Sequence, residues 1–102
     1  MAWLVKPETV TAETAALSIE QRRPFFFFFR TWLDQQFGLG RCIRSGFLVD
    51  DQRRPGGGGL LMFQASSYAD ALDWVSQDPM IVAGLVVWQL QEWIPVSGDD
   101  WP

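Results

Sequence analysis

Residues able to do chemistry are few in this chain, and their types narrow its repertoire. It has no histidine and one cysteine, Cys42. A single cysteine excludes an intrachain disulfide and a thiol metal cluster. A zinc or iron site would have to be all carboxylate, so neither metal nor cofactor is expected. Cys42 stands beside Arg41 and near Arg44, a setting for a nucleophilic thiol, but no histidine base is present to activate it. Asp78-Pro79 reads structurally as a helix terminator. A carboxylate at a helix end on a sheet edge could also orient a water or a substrate group. Glu92 shares a strand face with Trp88 and Leu90. An acid among aromatic rings could act as a base, or close a salt bridge to an arginine. Gly56 to Gly59 invite a phosphate-loop reading. Leu60-Leu61 follows, however, where such a loop needs Lys-Ser/Thr and a helix. The glycines fit a flexible hairpin tip, or a place where backbone or ligand passes closely.

The elements that must hold these residues can be read from pattern. Trp3-Leu4-Val5 is a short strand, and Pro7 is expected to stop it. Glu8 to Ala16 reads as a connection with room for a helical turn. Ser18-Ile19-Glu20-Gln21 has capping-box spacing. Pro24 would fall inside a helix begun there, so a short turn is expected over Ser18 to Arg22. A helix then starts with Pro24 in its first position and runs to Phe37 or Gly38. Phe25, Phe28, Phe29, Trp32, Leu33 and Phe37 recur at spacings of three and four and predict one apolar face. Phe26 and Phe27 lie off that face, because a helix turns about 100° per residue.

Ile43 to Val49 alternates as a second strand. Asp50 to Gly59 is a long hairpin connection. Leu60 to Ala65 is nearly all apolar and predicts a central strand buried on both faces. Ser67 caps a second helix, with Ala71, Trp74 and Val75 inward and Asp78-Pro79 at its end. Met80 to Ala83 can add a turn closed by Gly84. Val86 to Ile94 is the last strand, with Trp88 and Glu92 on one face and Trp93 on the other.

The order β, α, β, β, α, β predicts a ferredoxin-like α+β fold: a four-stranded antiparallel sheet with two helices on one face. One domain spans residues 1–96, and residues 97–102 form a mobile acidic tail. With 102 residues, 15% of them aromatic and six of them tryptophan, the chain carries many rings for a modest core. The uncovered sheet face is expected to pair with a second copy, giving a homodimer that absorbs surplus rings. A net charge of −4 makes nucleic acid a poor partner. Arg23 and Arg30 bracket Phe25 to Phe29, far short of the roughly 20 apolar residues of a membrane span. No signal peptide is evident, and a soluble cytoplasmic protein is expected.

Taken together, Gly58-Gly59-Leu60-Leu61-Met62-Phe63-Gln64-Ala65, Ser67, Ala71, Asp78-Pro79-Met80-Ile81 and Leu90-Gln91-Glu92-Trp93 carry a resemblance. The chain resembles YciI-like (YCII-related) proteins of the dimeric α+β barrel superfamily. More narrowly it resembles a cyanobacterial-type branch beginning Met-x-Trp-x-Val-Lys, matched by Met1 to Lys6. The resemblance implies a catalytic pair made by a histidine of the first helix and the aspartate before proline. That aspartate is Asp78, but Phe29 stands where the histidine would fall, and Gln91 where the branch often has another. The implied site is a cleft between the first helix and the sheet, lined by Phe29, Trp32, Trp88 and Trp93, with Glu92 close to it. Three functions follow as expectations. The first is a dimer binding a small apolar or aromatic molecule without the family's chemistry. The second is a small lyase- or hydrolase-like enzyme using Asp78 or Glu92 with water. The third is an interaction module docking through exposed Phe. A cavity beside Asp78 would favour a ligand, and a filled space a structural role.

Overall fold

Strand β1, Ala2–Val10, organises the molecule. In the computed structural model, which describes residues 1–99, it lies inside an antiparallel sheet. On one side it pairs with β3 (Pro55–Ala65), which pairs onward with β2 (Ile43–Val49). On the other side it pairs with two short strands, β4 (Val86–Trp88) and β5 (Gln91–Trp93).

Among the described residues the sheet therefore has five strands and not the expected four, for a local reason. β4 and β5 meet β1 in one continuous register, Glu8 opposite Trp88 and Val5 opposite Gln91. The interruption at Gln89-Leu90 falls across from Lys6-Pro7. In an antiparallel strand the N and C=O of a residue point to the same side. The Pro7 carbonyl accepts from Gln89 N at 3.2 Å, so its nitrogen, which has no hydrogen to donate, faces the interrupted strand as well. Pro7 thus costs the ladder one bond where the partner already breaks, and β1 continues past it to Val10.

Among the described residues there are four helical segments: the two expected helices, and the two short turns that the sequence left room for. Thr11 caps the single turn α1 (Ala12–Ala15). The long helix α2 spans Ile19–Gly38, so Pro24 lies inside it and not at its start. Its beginning is fixed by a complete capping box: Ser18 Oγ accepts from Gln21 N and Gln21 Oε1 accepts from Ser18 N. Arg22 adds bonds from its guanidinium to the Leu17 and Ala15 carbonyls. These contacts outweigh the one helical bond that Pro24 removes. Ser67 caps α3 (Tyr68–Val75), and Asp78 caps α4 (Pro79–Val82), after which Gly84 takes a φ of 69°.

Packing corrects two further expectations. The inward stripe of α2 is Phe25, Phe29, Trp32, Leu33 and Gln36, while Phe28 and Phe37 are exposed, as are Phe26 and Phe27. Only one face of β3 is fully buried: Leu61, Phe63 and Ala65 meet Leu4, Trp32, Ala71, Trp74 and Val75 in the core. Leu60, Met62 and Gln64 are half-buried on the other face, which points away from α2 and α3.

The glycines are not the hairpin tip. The tip is Asp50 to Arg54, where Asp50 Oδ1 accepts from the backbone of Gln52 and Arg54, and Gly56 to Gly59 belong to β3. A Cβ at position 59 would lie 3.2 Å from the Gly46 carbonyl oxygen, so glycine there lets β2 and β3 approach. At position 57 the backbone φ is +83° and a Cβ would meet Val10 Cγ2 at 2.8 Å. Of the acidic tail, Ser97, Gly98 and Asp99 are exposed and outside any helix or strand, and residues 100–102 lie outside the described residues.

Candidate functional site

The alternation of β1 aims Ala2, Leu4, Lys6 and Glu8 at the helical side of the sheet. Leu4 joins the core as expected. Lys6 follows it inward two residues later and is completely buried. A buried ammonium needs a partner, and the corner between α3 and α4 supplies one. There Asp78 N donates to the Val75 carbonyl at 3.0 Å, while Asp78 Oδ1 caps α4 by accepting from Met80 N at 2.8 Å. Its other oxygen, Oδ2, accepts from Lys6 Nζ at 2.5 Å, and neither side chain has any exposed surface. The Phe29 ring of α2 lies with its centroid 5.8 Å from the same ammonium, within cation–π range.

Glu8 completes the cluster on different terms. Its side chain keeps 14% of its surface, and its Oε2 lies 3.3 Å from Lys6 Nζ. That approach makes an ion pair, and Oε2 is buried with Lys6 as its one polar neighbour among the described residues. Burial pushes the Glu8 carboxyl above its ordinary range; the Lys6 charge pulls it down, and the Asp78 charge pushes it up again. Across the sheet Glu8 faces Trp88 on β4 and Gly59 on β3, both without a titratable group.

The residues singled out from sequence are only partly brought together. Phe29 and Asp78 both touch Lys6, and half-buried Trp88 lies on the same sheet face beside Glu8. Trp32 is a core ring, stacked on Trp74 at 4.8 Å between centroids. Trp74 in turn donates from Nε1 to Gln36 at 2.8 Å and carries the Arg41 guanidinium over its ring at 4.5 Å. Trp93 stands on the opposite sheet face, across from Trp3, and so does not line the cleft with Phe29. Glu92 is exposed opposite Leu4, and the arginine ion pairs among the described residues are Arg30–Asp34 and Arg54–Asp50.

Space beside Asp78 is filled, by Lys6, with Phe29 over it, which is the outcome that favours a structural role for Asp78 itself. Shallow concavities lie elsewhere, one of about 290 Å³ near Gln36, Arg41 and Cys42, another of about 350 Å³ at the β2–β3 hairpin. Lys6 and Glu8 were the residues that sequence reading missed. The available signal was two charges on the inward positions of a strand whose preceding inward residues are Ala2 and Leu4.

Comparison with protein-family models and with curated proteins finds no match. Comparison with solved structures defines a class by fold: an α+β protein with helices packed on one face of an antiparallel sheet, in the ferredoxin-like manner. One such neighbour is 5-chloro-2-hydroxyhydroquinone dehydrochlorinase (TftG) from Burkholderia phenoliruptrix AC1100, solved in complex with 2,5-dihydroxybenzoquinone. It superposes with a TM-score of 0.64 at 19% identity, over 92% of this chain and 94% of that one. At that identity the likeness is one of fold.

Proposed function

We propose that this chain is a YciI-like protein of the dimeric α+β barrel kind that acts as a homodimer and binds a small ring-shaped molecule. The binding place is the mouth above the buried ion cluster, where Phe29, Trp88 and Glu8 keep exposed surface. The observation that carries this reading is the Lys6–Asp78 pair itself. Two charges with no exposed surface are expensive to desolvate, and an apolar pair would commonly be as stable. Departures from core rules concentrate at functional sites. The shared fold with a ring-binding dehydrochlorinase supports the same reading. Phe29 beside Lys6 and Asp78 is consistent with the position where the resemblance expects histidine. A phenyl ring carries no proton, so the family's acid–base pair is incomplete and binding is the function favoured over that chemistry.

Calorimetric titration of the purified protein with a panel of hydroxylated rings, 2,5-dihydroxybenzoquinone included, tests this. Saturable binding is expected, weakened roughly tenfold by Phe29→Ala through loss of ring contact. A panel with no binder would remove the ligand reading. A second reading has its own observation: Phe27 is 66% and Phe28 57% exposed on α2, with Phe37 at 70%. Exposed rings of this kind can dock a protein partner. Replacing Phe26 and Phe27 with Ser should then abolish co-purification of that partner, and unchanged co-purification would rule the reading out.

A further inference from the structure

We propose that Glu8 is the group that meets the polar end of the bound ring, accepting a hydroxyl proton, while Asp78 is a positioning residue that never touches the ligand. This rests on the ring-binding reading above and assigns its chemistry. Asp78 is fully committed: Oδ1 to Met80 N, Oδ2 to Lys6 Nζ, with no exposed surface. Glu8 has the complementary properties. It is the charged member of the cluster that solvent reaches, and with Oε2 buried against Lys6 Nζ it is Oε1 that is left to meet a ligand. Lys6 Nζ, 3.3 Å from Oε2, supplies a fixed positive charge.

The ligand this fits is an aromatic ring bearing an acidic hydroxyl, its faces against Phe29 and Trp88. On binding, the ring O–H bond breaks and a Glu8 O–H bond forms. The resulting phenolate faces the neutral Glu8 carboxyl, with the Lys6 ammonium buried behind it, so charge and protons balance. The titratable groups facing Glu8 are Lys6 from its own strand and Asp78 from the α3–α4 corner; its neighbours on β3 and β4 carry none. A carboxyl raised by burial is a stronger proton acceptor than a solvated one.

The probe is 4-nitrophenol, whose neutral and ionised forms absorb at different wavelengths. Wild-type protein added at a pH where the free probe is neutral should produce the phenolate band. Glu8→Gln, shown folded by circular dichroism, should abolish the band and weaken binding roughly tenfold or more, as loss of a charged acceptor does. Glu8→Asp should restore part of the band. Binding by wild type without the band, or an unchanged band in Glu8→Gln, overturns the Glu8 assignment and leaves ring binding standing. No binding at all defeats both. A carbon NMR titration of Glu8 in the ligand-free protein gives a second check: a carboxyl titrating in the ordinary range would also overturn the assignment.

Discussion

Lys6 holds three side chains at one point, and its removal should cost more than its size suggests. Lys6→Met leaves Asp78 buried and charged with no counterion, so unfolding in urea should show a loss of about 3–5 kcal/mol. Adding Asp78→Asn should recover much of that loss, because Asn keeps the cap on Met80 N without a charge. If the double variant is no more stable than the single, the pair is not what makes Lys6 matter. Glu8 answers to pH. Its carboxyl titrates higher in the folded chain than in the unfolded one, so between those two values the native state binds more protons. Its contribution to stability is therefore complete below the ordinary carboxylate range and is lost as pH rises through the folded value. Glu8→Gln should flatten that fall in urea midpoints measured from acid to neutral pH; an unaltered slope would mean Glu8 is not the group responsible.

At the scale of elements, α2 separates two accounts of where a helix begins. If the capping box sets the start, Ser18→Ala should lower stability by about 1 kcal/mol. Pro24→Ala should raise it, by about 1–3 kcal/mol, by restoring the helical bond to Glu20 and removing an interior ring. A helix starting at Pro24 would give no effect for the first change and a loss for the second. Sequence reading chose that start because it weighed Pro24 and could not see Arg22 tying α2 back to Ala15 and Leu17. The same kind of error ended β1 at Pro7, since nothing local says that the neighbouring strand breaks there. That truncation removed Glu8 from the sheet and hid the cluster. Local signals succeeded where chemistry stayed local, in Ser67 capping α3 and its buried Ala71, Trp74 and Val75; Asp78-Pro79, expected to end that helix, instead begins α4, because α3 already stops at Val75. Trp93 was placed in the cleft although its odd spacing from Trp88 already put the two on opposite faces.

For the whole molecule, the unsettled surface is the sheet face turned away from α2 and α3. It carries Val5, Leu60 and Met62, each half-buried, with Leu48 at 61% and Val87 at 63% exposed on the outer strands. A continuous apolar surface on a two-layer fold is a surface for association, and a sheet is flat enough to meet a copy of itself. A stable pair would bury roughly 1,200–2,000 Å² in total, which that face and its rim can supply on a chain of this size. Met62 is the discriminating position, because it is central in β3 and directed away from the core side held by Leu61 and Phe63. The unmodified protein should sediment as a dimer at micromolar concentration, and Met62→Arg should sediment as a folded monomer. Phe27→Ser, on the outer side of α2, should leave the dimer intact. A wild-type monomer would refute self-association through the sheet. A dimer lost on Phe27→Ser but kept on Met62→Arg would move the interface to the exposed rings of α2, and would make those rings, not the sheet, the reason so small a chain carries so many.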